Sequence, residues 1–342
     1  MKSINKQKLA DVLNEWSKSH AVMAPIEEGN ITSFIKWEEG KVVKLDKNSD
    51  IPVKSVFFPQ TEELYEYKVE KDNMEIIEAT PINEELVVFG IRPCDLKSLE
   101  MLDDLFLTRG YIDPYYKAKK DNAVIVSYLC GKPCRTCFCE SMGIDYQKAE
   151  GADIAMYQDG ENFGFVAQTQ KGEALLETIA SLTEENDIKL PEKQEFILKA
   201  DTEGLADKLA AMFEHPIWDS AYEKCIGCGA CTYLCPTCHC FDINSHSRSC
   251  GTGFKTRCWD SCMFPDYTLM AGGHNPRPTR KERFRNRFLH KLQQFPERYG
   301  KIACVGCGRC ISKCPVNVDI TDIISQLKEV DINDQQDMDR VG

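Results

Sequence analysis

The chain has 342 residues, more than the roughly 250–300 at which a single hydrophobic core usually stops growing, so we expect two or more domains. Its formal net charge of −12 at pH 7 and its isoelectric point near 5.1 argue against nucleic acid as the main partner, because that binding draws its affinity from neutralising phosphates. Its 18 cysteines are better candidates for metal ligands than for disulfides if the chain stays in a reducing compartment.

The N-terminal stretch MKSINKQKLADVLNEWSKSH carries charges throughout and lacks the apolar segment of a signal peptide. It predicts an amphipathic helix. Because the sequence contains no apolar run of transmembrane length, we expect a cytoplasmic protein without membrane insertion.

An α/β unit is predicted in the N-terminal part of the chain. EELVVFG (84–90) and NAVIVSY (122–128) are short β-branched runs typical of buried strands, and DLKSLEMLDDLFL (95–107) spaces its leucines at helical intervals. This strand, helix, strand order favours parallel strands joined by a crossover helix. Further strands are predicted at 152–158 and 163–169, and further helices near 172–182 and 202–213.

Five cysteines follow these two strands. Cys94 lies in the turn after the first strand, and the loop LCGKPCRTCFC follows the second. The carboxyl ends of neighbouring strands are where open α/β sheets place their sites, so four thiols from the two loops can reach one metal. An iron–sulfur cluster, a zinc ion and a metal-free cysteine cluster all remain open. Asp95 is predicted to cap the helix that follows, while Arg92 is either solvated or donates to a cluster sulfur.

The C-terminal part contains an internal duplication, in which CIGCGACTYLCP at 225–236 recurs as CVGCGRCISKCP at 304–315. Each copy reads C-x2-C-x2-C-x3-C-P, the ligand run of two-cluster ferredoxins, in which the fourth cysteine ligates the other cluster. A pair of zinc ribbons is the alternative, disfavoured by the CP that ends both copies. We expect one [4Fe–4S] cluster on Cys225, Cys228, Cys231 and Cys314, and a second on Cys304, Cys307, Cys310 and Cys235.

These patterns predict two domains. Residues 1–214 are expected to form an α/β domain with a possible additional metal site. Residues 215–342 are expected to form an α+β, two-cluster ferredoxin-like domain with a long insertion at 237–303. Two clusters in series indicate electron transfer.

Longer stretches resemble a known family. PIWDSAYEKCIGCGACTYLCPTCHCFD (216–242), WDSCMF (259–264), AGGHNPRP (271–278) and RFRNRFLHK (283–291) are similar to the dicluster iron–sulfur subunit of anaerobic sulfite reductase and to the related beta subunit of sulfhydrogenases. The resemblance extends into the N-terminal domain through FGIRPCDLKSLEMLD (89–103) and CFCESMG (137–143). It covers most of the chain.

The resemblance implies a cytoplasmic iron–sulfur subunit that relays electrons between a flavin subunit, supplied by NAD(P)H or ferredoxin, and a separate catalytic subunit. The chain has no G-x-G-x-x-G after a strand, no P-loop and no H-E-x-x-H, so we expect no catalytic residues of its own. Anaerobic sulfite reductase is the first expectation for the complex, and a hydrogenase or sulfhydrogenase linked to NAD(P) is the alternative. A free-standing enzyme with its own thiol-rich substrate site represents another class.

Additional clusters are expected at two places. In the N-terminal part, the family pattern selects the set Cys94, Cys130, Cys137 and Cys139, with Cys134 as a substitute for Cys130. In the insertion, Cys238, Cys240 and Cys262 lie beside a ferredoxin-type ligand and are expected to seed a third cluster with Cys258, or less favourably His274, as the fourth ligand. The alternative for these thiols is packing as small apolar side chains. Cys250, in a polar run, is expected to bind no metal.

A basic helix is predicted after NPRP. TRKERFRNRFLHKLQQF places Phe284, Phe288 and Leu289 on an apolar stripe surrounded by cations. A solvated face that pairs with the chain's own carboxylates and a docking site for an acidic redox partner such as ferredoxin are equally expected uses of this charge. The cations are Arg280, Lys281, Arg283, Arg285, Arg287 and Lys291.

Overall fold

The structure is a computed structural model, and it describes residues 1–71, 73–78, 84–186, 188–248 and 251–332. Cys250 lies outside the described residues. The chain divides into two compact units, each made of several segments. The sequence predicted a single cut after residue 214, whereas the units interleave along the chain. Unit 1 contains 1–134, 144–195 and 243–258, and unit 2 contains 135–143, 196–242 and 259–342.

Unit 1 is built on an eight-stranded sheet with the order β10-β1-β9-β8-β7-β6-β2-β3. The sheet strands are β1 (Lys2–Asn5), β2 (Ala21–Glu28), β3 (Ile31–Lys36), β6 (Leu86–Ile91), β7 (Ala123–Tyr128), β8 (Ile154–Asp159), β9 (Asn162–Ala167) and β10 (Glu184–Glu185). The strands of a second, four-stranded sheet are β4 (Thr61–Glu70), β5 (Asn73–Glu78), β11 (Phe241–Ser247) and β12 (Thr252–Trp259).

The central strands β2, β6, β7 and β8 are parallel, and the outer pairs are antiparallel. Every residue of β6 is buried, as expected of a strand covered on both faces. β6 and β7 are hydrogen-bonded neighbours. The predicted strand, helix, strand unit is therefore confirmed.

The described residues contain five helices in unit 1 and seven in unit 2. They are α1 (Leu9–Trp16), α2 (Lys54–Phe57), α3 (Pro93–Leu107), α4 (Pro114–Asp121), α5 (Gln170–Thr178), α6 (Leu205–Ala210), α7 (Ile217–Ala221), α8 (Ala230–Tyr233), α9 (Arg280–Leu289), α10 (Phe295–Tyr299), α11 (Arg309–Ser312) and α12 (Ile320–Glu329). Single 3-10 turns cover Lys6–Lys8, Cys139–Met142, Ala180–Leu182 and Asp266–Thr268, and a π-helical turn covers His290–Gln294. No helix in the described ranges is long and apolar enough to cross a membrane.

The N-terminal stretch differs from its prediction. Residues 2–5 form strand β1 at the antiparallel side of the sheet, and the helix starts only at Leu9. The helix α1 buries Val12, Leu13 and Trp16 in the core of unit 1, and the Trp16 indole Nε1 donates to the Leu175 carbonyl at 3.3 Å. The alternation of Ser3 and Ile4 was too short to signal a strand.

The insertion contributes a hairpin to unit 1. Strand β12 pairs antiparallel with β4, which adds residues of the predicted ferredoxin-like domain to the N-terminal sheet system. Arg257 on β12 is 3% exposed and forms ion pairs with Glu62 on β4 and Asp113. Glu62 also pairs with Lys119, so the buried charges compensate one another.

Unit 2 has its own apolar core. The cluster joins Phe284, Phe288 and Leu292 from the α9 region to Ile324 of α12 and to Trp218 of α7. Cysteines of both repeats, among them Cys225 and Cys310, pack against this core. The cysteine loops are therefore held by the hydrophobic centre of the unit.

Candidate metal centres

The first cysteine loop, residues 225–236, wraps through two glycines with left-handed backbone. Gly227 and Gly229 have φ values of 72° and 75°, a conformation that residues with a side chain avoid. Helix α8 starts directly after Gly229 and carries Cys231. The Gly227 amide donates to the Cys225 sulfur at 3.4 Å, as backbone amides do around iron–sulfur clusters.

A cavity opens against this loop. Although Cys314 comes from the second repeat, it faces the same space as the cysteines of the first, and its sulfur accepts from the Val318 amide at 3.2 Å. Cysteine sulfurs around one cavity, with amides donating to them, fit a [4Fe–4S] cubane. The cysteines that line the cavity are Cys225, Cys228, Cys231, Cys310 and Cys314, next to Arg287 and apolar side chains.

The second cysteine loop, residues 304–315, repeats this geometry. Gly306 and Gly308 have φ values of 59° and 73°, and helix α11 starts after Gly308 and carries Cys310. The Cys304 side chain is half-buried, its sulfur accepts from the Gly306 amide, and it lies within electrostatic reach of Cys235 and Cys307. The structure thus brings Cys235 of the first repeat to the cysteines of the second.

The segment 135–143 covers the second loop within unit 2. The Phe138 amide donates to the Gly306 carbonyl at 2.8 Å, and the Cys137 sulfur contacts the Cys307 carbonyl at 3.7 Å. A Cβ added at Gly306 would lie 2.5 Å from the Cys139 amide nitrogen. Only glycine allows the two backbones to approach this closely.

The prediction for the basic helix is wrong for four of its six cations. Arg283, Arg285, Arg287 and Lys291 are between 4% and 7% exposed, so they form neither a solvated face nor a docking surface. The Arg283 guanidinium donates to backbone carbonyls such as that of Met263, and the Arg285 guanidinium donates to the Phe213 carbonyl and to Glu214. These two side chains tie loops of unit 2 to α9.

Arg287 and Lys291 instead face the cysteines. They are four residues apart and share one side of the helical segment, which continues from α9 into the π-helical turn. The Lys291 ammonium donates to the Cys235 sulfur at 3.3 Å, to the Thr237 hydroxyl at 3.0 Å and to the Ala303 carbonyl. The spacing of four residues between Arg287 and Lys291 is the sequence signal that marks this face.

The pKa shifts at the loops reflect burial opposed by these cations. Burial raises the pKa of the Cys310 thiol to about 12, although Arg287 acts in the opposite direction. Burial lowers the pKa of Lys291, but the nearby Cys235, Cys238 and Cys304 outweigh it and leave the pKa raised. A buried thiol of this kind becomes a thiolate when a metal cation binds it.

The insertion thiols divide between the units. In unit 2, the Cys240 and Cys262 thiols form a hydrogen bond, which together with burial raises the pKa of Cys262 well above its ordinary value. The Tyr267 side chain also contacts Cys240. Burial is the main cause, and the Cys240 charge the second, of a raised pKa for the Tyr267 phenol. Cys238 lies within reach of Arg287 and Lys291. Cys258 belongs to unit 1, where its sulfur contacts the Thr256 hydroxyl at 3.7 Å.

The N-terminal thiols divide in the same way. Cys94 follows β6 and Cys130 follows β7, so the predicted placement at the ends of neighbouring parallel strands is confirmed. Both belong to unit 1 together with Cys134, whereas Cys137 and Cys139 belong to unit 2. The predicted ligand set Cys94, Cys130, Cys137 and Cys139 stays a prediction. Among the described residues, no three His, Cys, Asp or Glu side chains lie close enough to hold a single metal ion.

Arg92 is the polar centre of the unit 1 thiols. Its guanidinium is 7% exposed, contacts the Cys130 sulfur at 3.5 Å and stacks 4.6 Å from the Tyr128 ring centroid. Burial raises the pKa of the Cys130 thiol, and Arg92 partly offsets that rise. The N-cap of α3 is Arg92 rather than Asp95, which lies buried in the first turn.

Comparisons with known proteins agree with this geometry. A family model described as a 4Fe-4S dicluster domain matches residues 224–318, which span both cysteine loops and the insertion. The chain is 30% identical to the sulfhydrogenase 2 subunit beta of Pyrococcus furiosus over 336 residues, which are 95% of this chain and 98% of the relative. No solved structure matches the chain. The cofactors are two [4Fe–4S] clusters, and the zinc alternative for the duplicated runs is set aside.

Proposed function

The chain belongs to the family of sulfhydrogenase beta subunits, and on that premise we propose that its two clusters relay electrons between two other subunits of a sulfhydrogenase-type complex. The observation that carries this proposal is the pairing of two cysteine loops in one unit, each with its own group of cysteine sulfurs. The cavity at the first loop is lined mostly by cysteines and apolar side chains, which suits a cluster better than a polar substrate.

The proposed ligands follow the interleaved arrangement. Cys314 supports the first set because it lines the cavity of the first loop, and Cys235 supports the second set because it lies beside Cys304 and Lys291. When bound, each cluster supplies a one-electron couple. The sets are Cys225, Cys228, Cys231 and Cys314 for the first cluster, and Cys304, Cys307, Cys310 and Cys235 for the second.

The proposed partners are a flavin subunit, which takes electrons from NAD(P)H or ferredoxin, and a catalytic subunit. The relative from Pyrococcus furiosus is a beta subunit by name, so it works with other chains, and we extend that association to this protein. The complex is proposed to work in the cytoplasm. No residue of this chain is assigned a catalytic role.

The terminal reaction is proposed to be that of a sulfhydrogenase. Sulfite reductase was the first expectation from the sequence, but the curated relative favours the alternative reading. Anaerobic sulfite reduction and a free-standing enzyme remain predictions. Purification of the chain from its native cells under strictly anaerobic conditions decides among these three functions. The proposal is supported if other subunits co-purify and if hydrogen or NADPH reduces the clusters of the complex. Isolation as a single chain that turns over a sulfur compound with an artificial donor contradicts it.

A third cluster at the insertion thiols is a separate proposal. Cys240 and Cys262 are already in contact, and Cys238 lies two residues away along the chain. A bound metal would take both sulfurs as thiolates, which relieves the thiol–thiol hydrogen bond that holds the pKa of Cys262 high. Iron analysis tests the site: about twelve or sixteen irons per chain, falling by about four in Cys240→Ser, support it, whereas about eight in both proteins remove it.

A further inference from the structure

We propose that Arg287 and Lys291 set the reduction potentials of the two clusters, Arg287 acting mainly on the first and Lys291 on the second. This inference rests on the ligand sets proposed above. It concerns two side chains that bind no metal themselves but place fixed positive charge beside the sulfurs. They act on electron transfer through this charge and not as ligands.

Both cations are buried, and neither forms an ion pair with a carboxylate of the described residues. Arg287 is 6% exposed and Lys291 is 4% exposed. The Arg287 Nε atom has no hydrogen-bond partner among the described residues, although its guanidinium lines the cavity of the first loop. A buried guanidinium normally has an anion as a partner, because desolvating an unpaired charge is costly. A cluster bound by four thiolates is the anion that the cavity provides for.

The two cations contact different groups of sulfurs. Lys291 donates to the Cys235 sulfur and to the carbonyl of Ala303, the residue before Cys304, so its contacts belong to the second set. Arg287 lines the cavity that contains Cys225, Cys228 and Cys314. Arg287 also lies within reach of Cys310 and Cys235, so its charge acts on the second set as well.

The physical effect follows from charge alone. One-electron reduction adds one negative charge to a cluster and needs no proton or other reactant besides the electron donor. A fixed positive charge in a low-dielectric interior favours the more negative form, because buried charges are poorly screened by water or salt. Each cation therefore raises the potential of the cluster it faces. Hydrogen bonds to cluster sulfurs act in the same direction.

Arg287 lies in α9, and Lys291 lies in the π-helical turn that follows it. α9 ends at Leu289, and the wider turn over His290–Gln294 follows it, with Lys291 at its second residue. Such turns insert one extra residue into a helix and occur often at functional sites. Thr237, which is 2% exposed, fixes the ammonium by accepting its hydrogen bond and donating to the Ala303 carbonyl.

The experiment is a potentiometric titration of the full, anaerobically purified chain followed by EPR. Lys291→Met removes the charge and keeps the length of the side chain. At a fixed ambient potential, we expect the ratio of reduced to oxidised second cluster to fall about tenfold. This corresponds to a reduction potential lower by ~59 mV for a one-electron couple. The potential of the first cluster should shift less. Arg287→Met should shift the other cluster by a similar factor. Lys291→Arg, which keeps the charge, should restore most of the shift.

Arg285→Met is the matched control. Arg285 lies on the same helix, is 7% exposed and bonds to Phe213 and Glu214 rather than to a cysteine. Its replacement should leave both potentials unchanged. If Lys291→Met binds less iron than the wild type, Lys291→Gln, which keeps a donor near Cys235 without the charge, takes its place.

The inference is overturned if the wild type and the neutral Lys291 variant have the same two potentials, or if Arg285→Met shifts them equally. These outcomes leave the proposed function intact as long as the wild type holds two clusters. A wild type without two clusters contradicts the ligand sets instead. The two failures are therefore distinguishable in one set of samples.

Discussion

The two cysteine loops share a sequence motif but have different surroundings. Ile226 in the first loop is 54% exposed, whereas Val305 at the same position of the second loop is 1% exposed. Around Gly227 the nearest atom to an added Cβ would be 3.8 Å away, while around Gly306 it would be 2.5 Å away. Cys228 is exposed, whereas Cys307 at the same position of the second loop is half-buried. A ligand motif thus fixes what is bound, and the chain around it fixes how far water reaches.

The difference has a consequence for electron transfer. Solvent near a cluster stabilises the more negative, reduced form, and burial does the opposite unless fixed charges compensate. The enclosed second loop has Lys291 as its compensating charge, whereas the first loop has Arg287 and access to water.

Exchanging the fourth ligand gives the largest expected effect. Because the proposed ligand sets interleave, Cys314→Ser should remove the cluster of the first loop, and Cys235→Ser should remove the cluster of the second loop, each with loss of about four irons per chain. EPR of the reduced variants identifies which signal is lost. The interleaved assignment is wrong if Cys235→Ser instead removes the signal that Cys225→Ser removes.

Adding a methyl group at the two equivalent glycines sharpens the comparison. Both positions have left-handed backbone, which costs a residue with a side chain about 1–2 kcal/mol. Gly306→Ala adds an overlap with the backbone of Phe138 and Cys139, so it should cost several kcal/mol and reduce iron loading, as for other mutations that force backbone apart.

Gly227→Ala is the matched variant, because it shares the strained φ but has room for the methyl group. Iron content and the thermal midpoint of both proteins provide the measurement. If Gly306→Ala and Gly227→Ala lose the same amount of iron and have the same thermal midpoint, the segment 135–143 does not enclose the second loop.

Truncating the residue after the first cysteine of each loop tests burial directly. Val305→Ala should destabilise the chain by about 1.5–3 kcal/mol, because a fully buried side chain loses its apolar contacts. Ile226→Ala should change the free energy of unfolding by about 0.5 kcal/mol or less, as is usual for exposed sites. Circular dichroism gives the thermal midpoint of each variant. A lower midpoint for Ile226→Ala than for Val305→Ala would contradict the difference in burial between the two loops.

The smallest expected effect is a pH dependence near the second loop. Burial, followed by the charge of His239, lowers the pKa of His290 to about 4. The folded protein therefore holds a neutral imidazole, and the unfolded chain binds a proton below its ordinary pKa near 6.5. Stability is present above that value and is lost as the pH falls from about 6.5 towards 4, by about 1 kcal/mol at pH 5.5. The thermal midpoint of His290→Gln should fall less between pH 7 and pH 5.5 than that of the wild type.

Local patterns in the sequence predicted the elements that local chemistry determines. The strands β6 and β7 and the helix α3 between them follow from β-branched runs and leucine spacing, and both cysteine loops follow from their repeated ligand spacing. Gly227 and Gly306 have the left-handed conformation that these loops need. In each case the residues that specify the element lie within it.

The features that the sequence did not predict depend on distant partners. The strand β11 is polar and mostly exposed, so it has no alternating pattern, and the hairpin is specified by the pairing of β12 with β4. Arg287 and Lys291 belong to a run of cations that is typical of a solvated face. They are buried because loops distant in sequence fold around α9 and bring cysteines beside them.

Low-temperature EPR of the dithionite-reduced wild type is the decisive measurement of whether both cysteine loops hold [4Fe–4S] clusters. We expect about two unpaired spins per chain, divided between two centres with different relaxation and different potentials. A reduced protein that is silent in EPR and carries zinc in place of iron would contradict it.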